Sequence, residues 1–255
     1  MGVCAPRGSE GAPIVGAARP GRERTKTRVL MRFSRKPAGG LRTLRSMSSD
    51  PFGSLSGALT VVEAVAILAF ALSGLIEAAR RNLDAVGVCV VAGLTAFGGG
   101  TLRDILLDRR PFFWVQHQHY ILLILVLTLI ATPLMRLAQR VVPTTMFVAA
   151  DAIGLGFFSI AGVSVAHELG SPPIIAAMMG VVTGVFGGVL RDVILNEVPM
   201  VLRDGKPYAL ASLAGCVFFL LVIDAGMPAS MATWVAAALI VAIRLIAWRW
   251  DWTIR

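Results

Sequence analysis

Apolar side chains dominate the chain from about residue 57 onward, and short polar or proline-containing stretches interrupt them at intervals. Seven apolar runs can be separated, at residues 57–79, 85–107, 120–138, 146–167, 173–195, 207–224 and 229–248. A helix needs about 20 apolar residues to cross the hydrocarbon core of a bilayer. Because a backbone in lipid must satisfy its own hydrogen bonds, runs of this length favour helices. The pattern predicts an all-α integral membrane protein with seven transmembrane helices.

The polar interruptions recur along the chain with a spacing of 88 residues. The segment AFGGGTLRD at 96–104 returns as GVFGGVLRD at 184–192. The same shift pairs further residues without a gap: Glu63 with Asp151, Phe70 with Phe158, Gly74 with Gly162, Thr95 with Thr183, and Pro111 with Pro199. A glycine pair, an Arg-Asp pair, a proline and an intramembrane acid in one register indicate an internal repeat.

Each copy of this repeat contains three predicted spans, so the second copy must enter the membrane from the opposite side. The sequence therefore predicts a 3+3+1 inverted repeat, an architecture typical of transporters and some channels. We expect a basic leader at 1–50, a first repeat at 55–142, a second repeat at 143–228, and a seventh helix with its tail at 229–255.

Composition supports the membrane assignment and locates the excess charge. Hydrophobic residues make up 56% of the 255 residues, which is too apolar for a soluble domain of this size. The formal net charge is +9, but residues 1–46 hold 11 of the 24 Lys and Arg and only two acids. The remainder balances 13 basic against 13 acidic residues, so it gives no reason to expect a nucleic-acid partner.

The leader and the loop charges together predict an orientation in the membrane. The leader lacks the apolar core of a signal peptide, and its composition favours disorder or a basic tail on anionic lipid. In the short connections and span ends, ten Lys and Arg fall on one side and three on the other. We therefore expect the N-terminus outside and the C-terminus in the cytoplasm. The basic leader opposes this orientation, a conflict that disappears if translation starts at Met47, with Met31 as another candidate.

Two glycine runs, Gly98–Gly100 and Gly187–Gly188, lie inside the second and fifth predicted spans. Each glycine costs about 1 kcal/mol relative to alanine in a helix interior, so we expect a kink or break at both runs. Freed backbone groups are tolerated in a membrane only where they are buried in protein or line a wet cavity. The glycines, with Thr95 and Thr183, are therefore candidates for lining a midplane substrate or ion pathway. The alternative is close helix packing, for which Gly180–Gly184 supplies a GxxxG motif.

Two carboxylates, Glu63 and Asp151, lie several residues inside the first span of each copy. An intramembrane carboxylate is expensive and is a functional candidate by default. These two groups would attract a cation or an ammonium group, or carry a proton. The alternative is that each pairs with the arginine of its own copy, Arg103 or Arg191.

The pairs Arg103-Asp104 and Arg191-Asp192 lie just beyond the glycine runs, towards the ends of their spans. Adjacent residues on a helix point about 100° apart, so we expect each arginine and its neighbouring aspartate to reach different partners. One pair near each membrane face would form matched helix-end gates. The alternative is simple helix termination, with the arginines snorkelling to the interface.

These motifs resemble those of a known family. AFGGGTLRDILLDRRPFFW with GVFGGVLRDVILNEVP resembles the bacterial glycine transporter domain family, a two-copy domain related to the trimeric intracellular cation (TRIC) channels, over about residues 57–247. The second copy has Phe186 where the first has Gly98. The resemblance implies seven helices in a 3+3+1 arrangement, kinked second and fifth helices around a pore in each protomer, and a homotrimer. The family name implies glycine, whereas the channel relatives imply potassium or other monovalent cations.

We interpret the chain as a multi-pass transport protein of a bacterial plasma membrane that moves a small solute, such as glycine or a similar small amino acid, at the repeat interface. One alternative is a monovalent-cation channel, and another is a membrane scaffold in which the glycines serve packing alone. The sequence contains no ATP-binding loop and no zinc-type motif, and its faint nucleophile-elbow pattern at 162–166 has no predicted strand to carry it. We therefore expect no enzyme activity, no cofactor and no metal, and the expected partners are the bilayer, the solute and further copies of the chain.

Overall fold

The computed structural model describes residues 55–138, 143–203 and 207–252, and all regular secondary structure in these ranges is helical. The helices of these ranges are α1 (Leu55–Arg80), α2 (Ala85–Leu106), α3 (Phe113–Gln116), α4 (His119–Ala138), α5 (Thr144–Glu168), α6 (Pro173–Ile194), α7 (Met200–Arg203), α8 (Tyr208–Asp224) and α9 (Ala229–Arg249). The predicted leader, with its two candidate start methionines, lies outside the described residues.

The long helices follow the predicted apolar runs, each end lying within two residues of its prediction. Among the described residues, five helices are long and apolar enough to cross a membrane: α1 from Leu59 onward, α2, α5, α6 and α9. The apolar part of α4, His119–Ile130, and the whole of α8 are shorter. The four-residue helices α3 and α7 were not predicted from the apolar pattern.

Helix α5 lies at the centre of the bundle, since 78% of its most apolar stretch is buried, more than in any other candidate span. It packs against α1, α6, α8 and α9. Two of its glycines permit this: a Cβ at Gly154 would overlap the ring of Phe70 in α1, and one at Gly156 would lie 2.9 Å from the carbonyl oxygen of Ala237 in α9. A helix covered on all sides keeps no polar face, which explains its nearly uniform small and apolar sequence.

The chain reversals after the long helices also recur with the 88-residue spacing. Asn82 after α1 has φ 55° and Gly170 after α5 has φ 76°. Asp108 after α2 has φ 50° and Asn196 after α6 has φ 57°. Asn, Asp and Gly are the residue types that best tolerate this left-handed conformation, with which helices commonly end.

Helices α2 and α6 run without interruption through their glycine runs, so the predicted helix break is wrong. In a membrane the helical hydrogen bonds have no water to replace them, and this outweighs the low helix propensity of glycine. The glycines are buried where the two helices pack together. A bend of the intact helices at these positions stays a prediction.

Candidate functional site

The first charge centre consists of Glu63, Arg103 and Asp104. Arg103 on α2 donates from Nη1 to Oε1 of Glu63 on α1 at 3.0 Å, and from Nε to Oδ1 of Asp104 at 2.9 Å. The second carboxylate oxygen of Asp104 accepts a hydrogen bond of 2.8 Å from the backbone N–H of Phe113. The Phe113 ring covers the guanidinium, with its centroid 5.4 Å from Cζ. All four residues are thus tied into one buried network.

The second charge centre consists of Asp151, Arg191 and Asp192 and has the same bonds. Nη1 of Arg191 donates to Oδ1 of Asp151 at 2.7 Å, and Nε donates to Oδ1 of Asp192 at 2.9 Å. Oδ2 of Asp192 accepts a hydrogen bond of 2.9 Å from the backbone N–H of Met200. Nη1 also donates to Oγ of Ser73 at 3.1 Å, which links this centre to α1.

The expectation that each arginine and its neighbouring aspartate reach different partners is wrong. The long arginine side chain bridges the angle between adjacent helix positions, and the aspartate meets it on the same side. Each aspartate is held there because it also binds the first backbone N–H of α3 or α7. The alternative considered from the sequence, that each acid pairs with the arginine of its own copy, is observed in both centres.

Both centres exclude water almost completely. In the first, Arg103 and Asp104 are 0% exposed and Glu63 is 9% exposed. In the second, Arg191 is 0% exposed and Asp151 is 1% exposed. Removing one partner of a buried ion pair typically costs about 3–5 kcal/mol, because the remaining charge is left without compensation. Each arginine therefore locks two helices and a short helix together.

Helices α2 and α6 meet at a glycine–threonine crossing formed by Gly99, Thr183, Gly187 and Thr95. A Cβ at Gly99 would overlap the carbonyl oxygen of Thr183, and a Cβ at Gly187 would overlap that of Thr95. The two threonine side chains are fully buried, and each hydroxyl donates to the carbonyl four residues earlier in its own helix at 2.6 Å. In this conformation the two backbones are therefore in contact, as the packing alternative requires.

The remaining glycines of the two runs have different surroundings. A Cβ at Gly98 would overlap a leucine side chain of α6, and one at Gly100 would overlap the ring of Phe113. At Gly188 the nearest atom would be the hydroxyl of Tyr208, at 3.1 Å, followed by polar atoms of the second charge centre at 3.7 Å. Gly100 is covered by an aromatic ring, whereas Gly188 borders polar groups.

A cavity of about 330 Å³ lies beside the second charge centre. It is found where α1, α6 and α9 end and α5 begins, which places it at one end of the helix bundle. Asp192, Phe147 and Arg244 are among its lining residues. The centroid of the Phe147 ring is 4.8 Å from Cζ of Arg191 and 5.6 Å from Cζ of Arg80, so the ring contacts two guanidinium groups.

The sequence reasoning missed Ser73, Tyr208 and Arg244 at this site. Arg244 on α9 is only 3% exposed, and its Cζ lies 4.5 Å from the centroid of the Tyr208 ring. Its Nε and Nη1 atoms have no hydrogen-bond partner among the described residues. One signal was present, because an arginine five residues before the end of an apolar span is a functional candidate.

Comparison with known proteins gives one family. A family model described as "Glycine transporter" matches residues 60–136 and, a second time, residues 148–224. The two matches are offset by 88 residues, the spacing of the internal repeat.

Two named relatives are bacterial membrane proteins. The chain is 37% identical over 190 residues to the UPF0126 inner membrane protein YadS of Escherichia coli (strain K12), covering 74% of this chain and 91% of that protein. It is 37% identical over 192 residues to a UPF0126 membrane protein of Vibrio cholerae, covering 75% of this chain and 80% of the relative.

Solved structures of channels share the fold. The TRIC trimeric intracellular cation channel orthologue from Rhodobacter sphaeroides is 30% identical, with a TM-score of 0.69, covering 76% of this chain and 98% of that chain. A prokaryotic TRIC channel crystallised in 0.5 M KCl is 27% identical, with a TM-score of 0.69, covering 77% of this chain and 98% of that chain.

Proposed function

The chain belongs to the glycine transporter family, and we propose that it carries glycine or a similar small amino acid across a bacterial inner membrane. The observation that carries this proposal is the pair of buried arginine–carboxylate centres beside the glycine–threonine crossing. Each centre contains one arginine and two carboxylates. A zwitterion presents an ammonium group to the carboxylates and a carboxylate to the arginine, so one small solute can exchange with both halves of such an ion pair.

The proposed architecture is seven transmembrane helices in a 3+3+1 inverted repeat, with the N-terminus outside and the C-terminus in the cytoplasm. The recurrence of the charge centres and helix ends with the 88-residue spacing supports the repeat. The divisions 55–142, 143–228 and 229–255 remain our assignment for its parts. The TRIC structures, whose name describes them as trimeric, support a homotrimer.

The proposed pathway runs along α2 and α6 at the crossing. Its lining would be the glycines of both runs, with Thr95 and Thr183, when the two helices move apart. Glu63 and Asp151 would then set the charge preference. Arg103-Asp104 and Arg191-Asp192 would act as gates, since each arginine must release its carboxylates before α1 and α2, or α5 and α6, can separate.

A second candidate function is a monovalent-cation channel. The TRIC structures favour it, because their sequence identity reaches 30% and the alignment covers nearly the whole of the solved chains. In that case the same carboxylates would attract a bare cation and the gates would open a continuous pore. A membrane scaffold, with the glycines serving only packing, is the alternative without transport.

Flux into proteoliposomes containing the purified protein separates these functions. We expect saturable uptake of radiolabelled glycine without a bulk potassium conductance. Potassium-driven voltage without glycine uptake would replace the carrier by the channel. If a cooperative thermal unfolding transition shows that the protein is folded and neither flux is observed, the scaffold function would be favoured.

Glycine substitutions connect flux to the crossing. We expect Gly99→Ala and Gly187→Ala to abolish flux. The added Cβ would overlap a backbone carbonyl oxygen, which cannot move aside by changing rotamer as a side chain can. Gly93→Ala on the same helix α2 is the matched control, since a Cβ there has no neighbour within 4 Å. Normal flux in both crossing variants would contradict a role for the crossing in transport.

Charge removal tests the role of the acid in selectivity. We expect Glu63→Gln to weaken the preference for cations or ammonium-bearing solutes over neutral ones, because the carboxylate on α1 is lost while Arg103 keeps Asp104. The measurement is competition of glycine uptake by neutral and cationic analogues. Unchanged competition would remove Glu63 from the selectivity mechanism.

A further inference from the structure

We propose that the cavity beside the second charge centre is a binding site for a small solute bearing a carboxylate, namely an amino acid of about the size of glycine, and that Arg244 receives the carboxylate. This proposal rests on the proposed function, since it names the position that the transported solute occupies at one end of the pathway.

Among the described residues no carboxylate pairs with Arg244, a buried cation. It is 3% exposed, its Nε and Nη1 have no hydrogen-bond partner in the described part of the chain, and its Cζ lies 4.5 Å from the centroid of the Tyr208 ring. Arg103 and Arg191, by contrast, each bind two carboxylates. A buried charge without a counter-charge is costly. An anion that pairs with Arg244 would remove this cost, which favours its binding.

The charges around the cavity favour a monoanion. Of the residues that the structure describes, four arginines and three carboxylates line it: Arg80, Arg81, Arg203, Arg244, Glu77, Asp192 and Glu197. Glu77 and Glu197 are paired with arginines of the rim, and Asp192 is paired with Arg191. The described lining therefore has one more arginine than carboxylates, and Arg244 is the arginine for which the described residues supply no ion pair. A dianion such as inorganic phosphate would bring its second charge close to the three carboxylates.

The size and rim of the cavity fit a zwitterion. Its volume of about 330 Å³ corresponds to about ten water molecules at about 30 Å³ each, enough for a small amino acid and part of its hydration shell. The side chains of Glu77 and Glu197 are 19% and 32% exposed, so their carboxylates remain within reach of an ammonium group in the cavity. A solute with a carboxylate and no ammonium group would interact with Arg244 but not with the carboxylates of Glu77 and Glu197.

The position of the cavity links the site to the gate. Phe147 and Asp192 line the cavity and also contact Arg191. A carboxylate bound to Arg244 is therefore close to the arginine that must release Asp151 before α5 and α6 can part.

The test is binding of radiolabelled glycine to the purified, detergent-solubilised protein. We expect Arg244→Met to weaken binding roughly tenfold or more, the usual worth of a hydrogen-bonded charge. Arg249→Met, an exposed arginine on the same helix, is the matched control and should bind as the wild type does. Glycinamide, which keeps the ammonium group and lacks the carboxylate, should not compete. Undiminished glycine binding by Arg244→Met would overturn the proposal.

Thermal unfolding without ligand distinguishes a binding role from a structural one. Arg244→Met should unfold at the same temperature as the wild type or at a higher one, because it removes an uncompensated buried charge and keeps most of the side-chain volume. A variant that loses both stability and glycine binding would make Arg244 structural and would overturn the proposal. So would competition by inorganic phosphate or anionic phospholipid but not by unlabelled glycine.

Binding and flux fail separately. If glycine binding depends on Arg244 but the wild type conducts potassium and takes up no glycine, the site stands and the proposed carrier function falls. If glycine is transported while binding is independent of Arg244, the carrier function stands and the site falls.

Discussion

In the first charge centre the guanidinium of Arg103 is covered by the ring of Phe113, whereas in the second the guanidinium of Arg191 lies against Phe147 at the wall of an open cavity. The bonds within the two centres are otherwise the same, down to the backbone amide that fixes each aspartate. The repeated residues therefore form the same ion pairs twice, and the residues packed around them place the cavity beside the second centre.

This difference has two sources, the helix α9 outside both copies and a position at which the copies differ. Arg244 and Trp248, which line the cavity, belong to α9, the helix that follows the two copies of the repeat. Among the described helices, neither copy contains an equivalent of α9, so the first centre has no such neighbour. Ser73, which binds Arg191, has Ala161 as its counterpart in the second copy, so Arg103 has no equivalent hydroxyl. Two similar sequences thus form two charge centres with different surroundings.

The largest expected effect is the loss of stability when the arginine of either charge centre is replaced, and it tests whether the two centres differ. Arg191→Met should cost about 5 kcal/mol and Arg103→Met about 3 kcal/mol, towards the two ends of the range for a broken buried ion pair. The reason is that Asp151 is almost fully buried, whereas Glu63 is 9% exposed and Asp104 keeps Arg109 at 4.0 Å. Thermal unfolding of both variants in detergent measures the order. An equal or reversed order would mean that burial of the acids does not distinguish the centres.

The next effect concerns the glycine that precedes the arginine of each charge centre by three residues. Gly100→Ala should destabilise the protein by about 1–3 kcal/mol, the usual cost of overpacking, because its Cβ would overlap the Phe113 ring. Gly188→Ala should cost much less, since the nearest atom is the Tyr208 hydroxyl at 3.1 Å. The free energies of unfolding of the two variants, measured in parallel with Gly93→Ala as the control, give the contrast. Similar losses at both positions would show that the second centre is as tightly covered as the first.

The smallest effect is loss of the bond between Ser73 and Arg191. Ser73→Ala should lower stability by only about 1 kcal/mol, because Arg191 keeps both carboxylates and loses one neutral acceptor. The same substitution should leave the first centre unchanged, which chemical-shift or hydrogen-exchange measurements near Arg103 would verify. A response at Arg103 would indicate that the two centres are coupled through α1.

The long helices could be predicted from sequence because apolar runs and prolines are local signals, and every predicted end lies within two residues of the observed one. The charged residues of both centres could also be selected, since acids and arginines inside apolar runs are rare. Three features were beyond this reasoning. The need for glycine at position 99 comes from a carbonyl 84 positions away, the Asp104 partner is an amide of an unpredicted short helix, and the cavity at Arg244 forms only when α1, α5, α6 and α9 meet.

The glycine–threonine crossing has the symmetry of a contact between identical subunits. Gly99 contacts the carbonyl of Thr183, and Gly187 contacts the carbonyl of Thr95. Each copy therefore contributes one glycine and one threonine carbonyl, as each subunit does in an isologous homodimer. A polypeptide with a single copy would already carry both halves of this contact, and two such polypeptides would supply all of it. Joining the copies in one chain replaces a concentration-dependent encounter by an effective concentration on the order of millimolar. The crossing therefore has the form expected of an ancestral dimer interface that a gene fusion has made intramolecular.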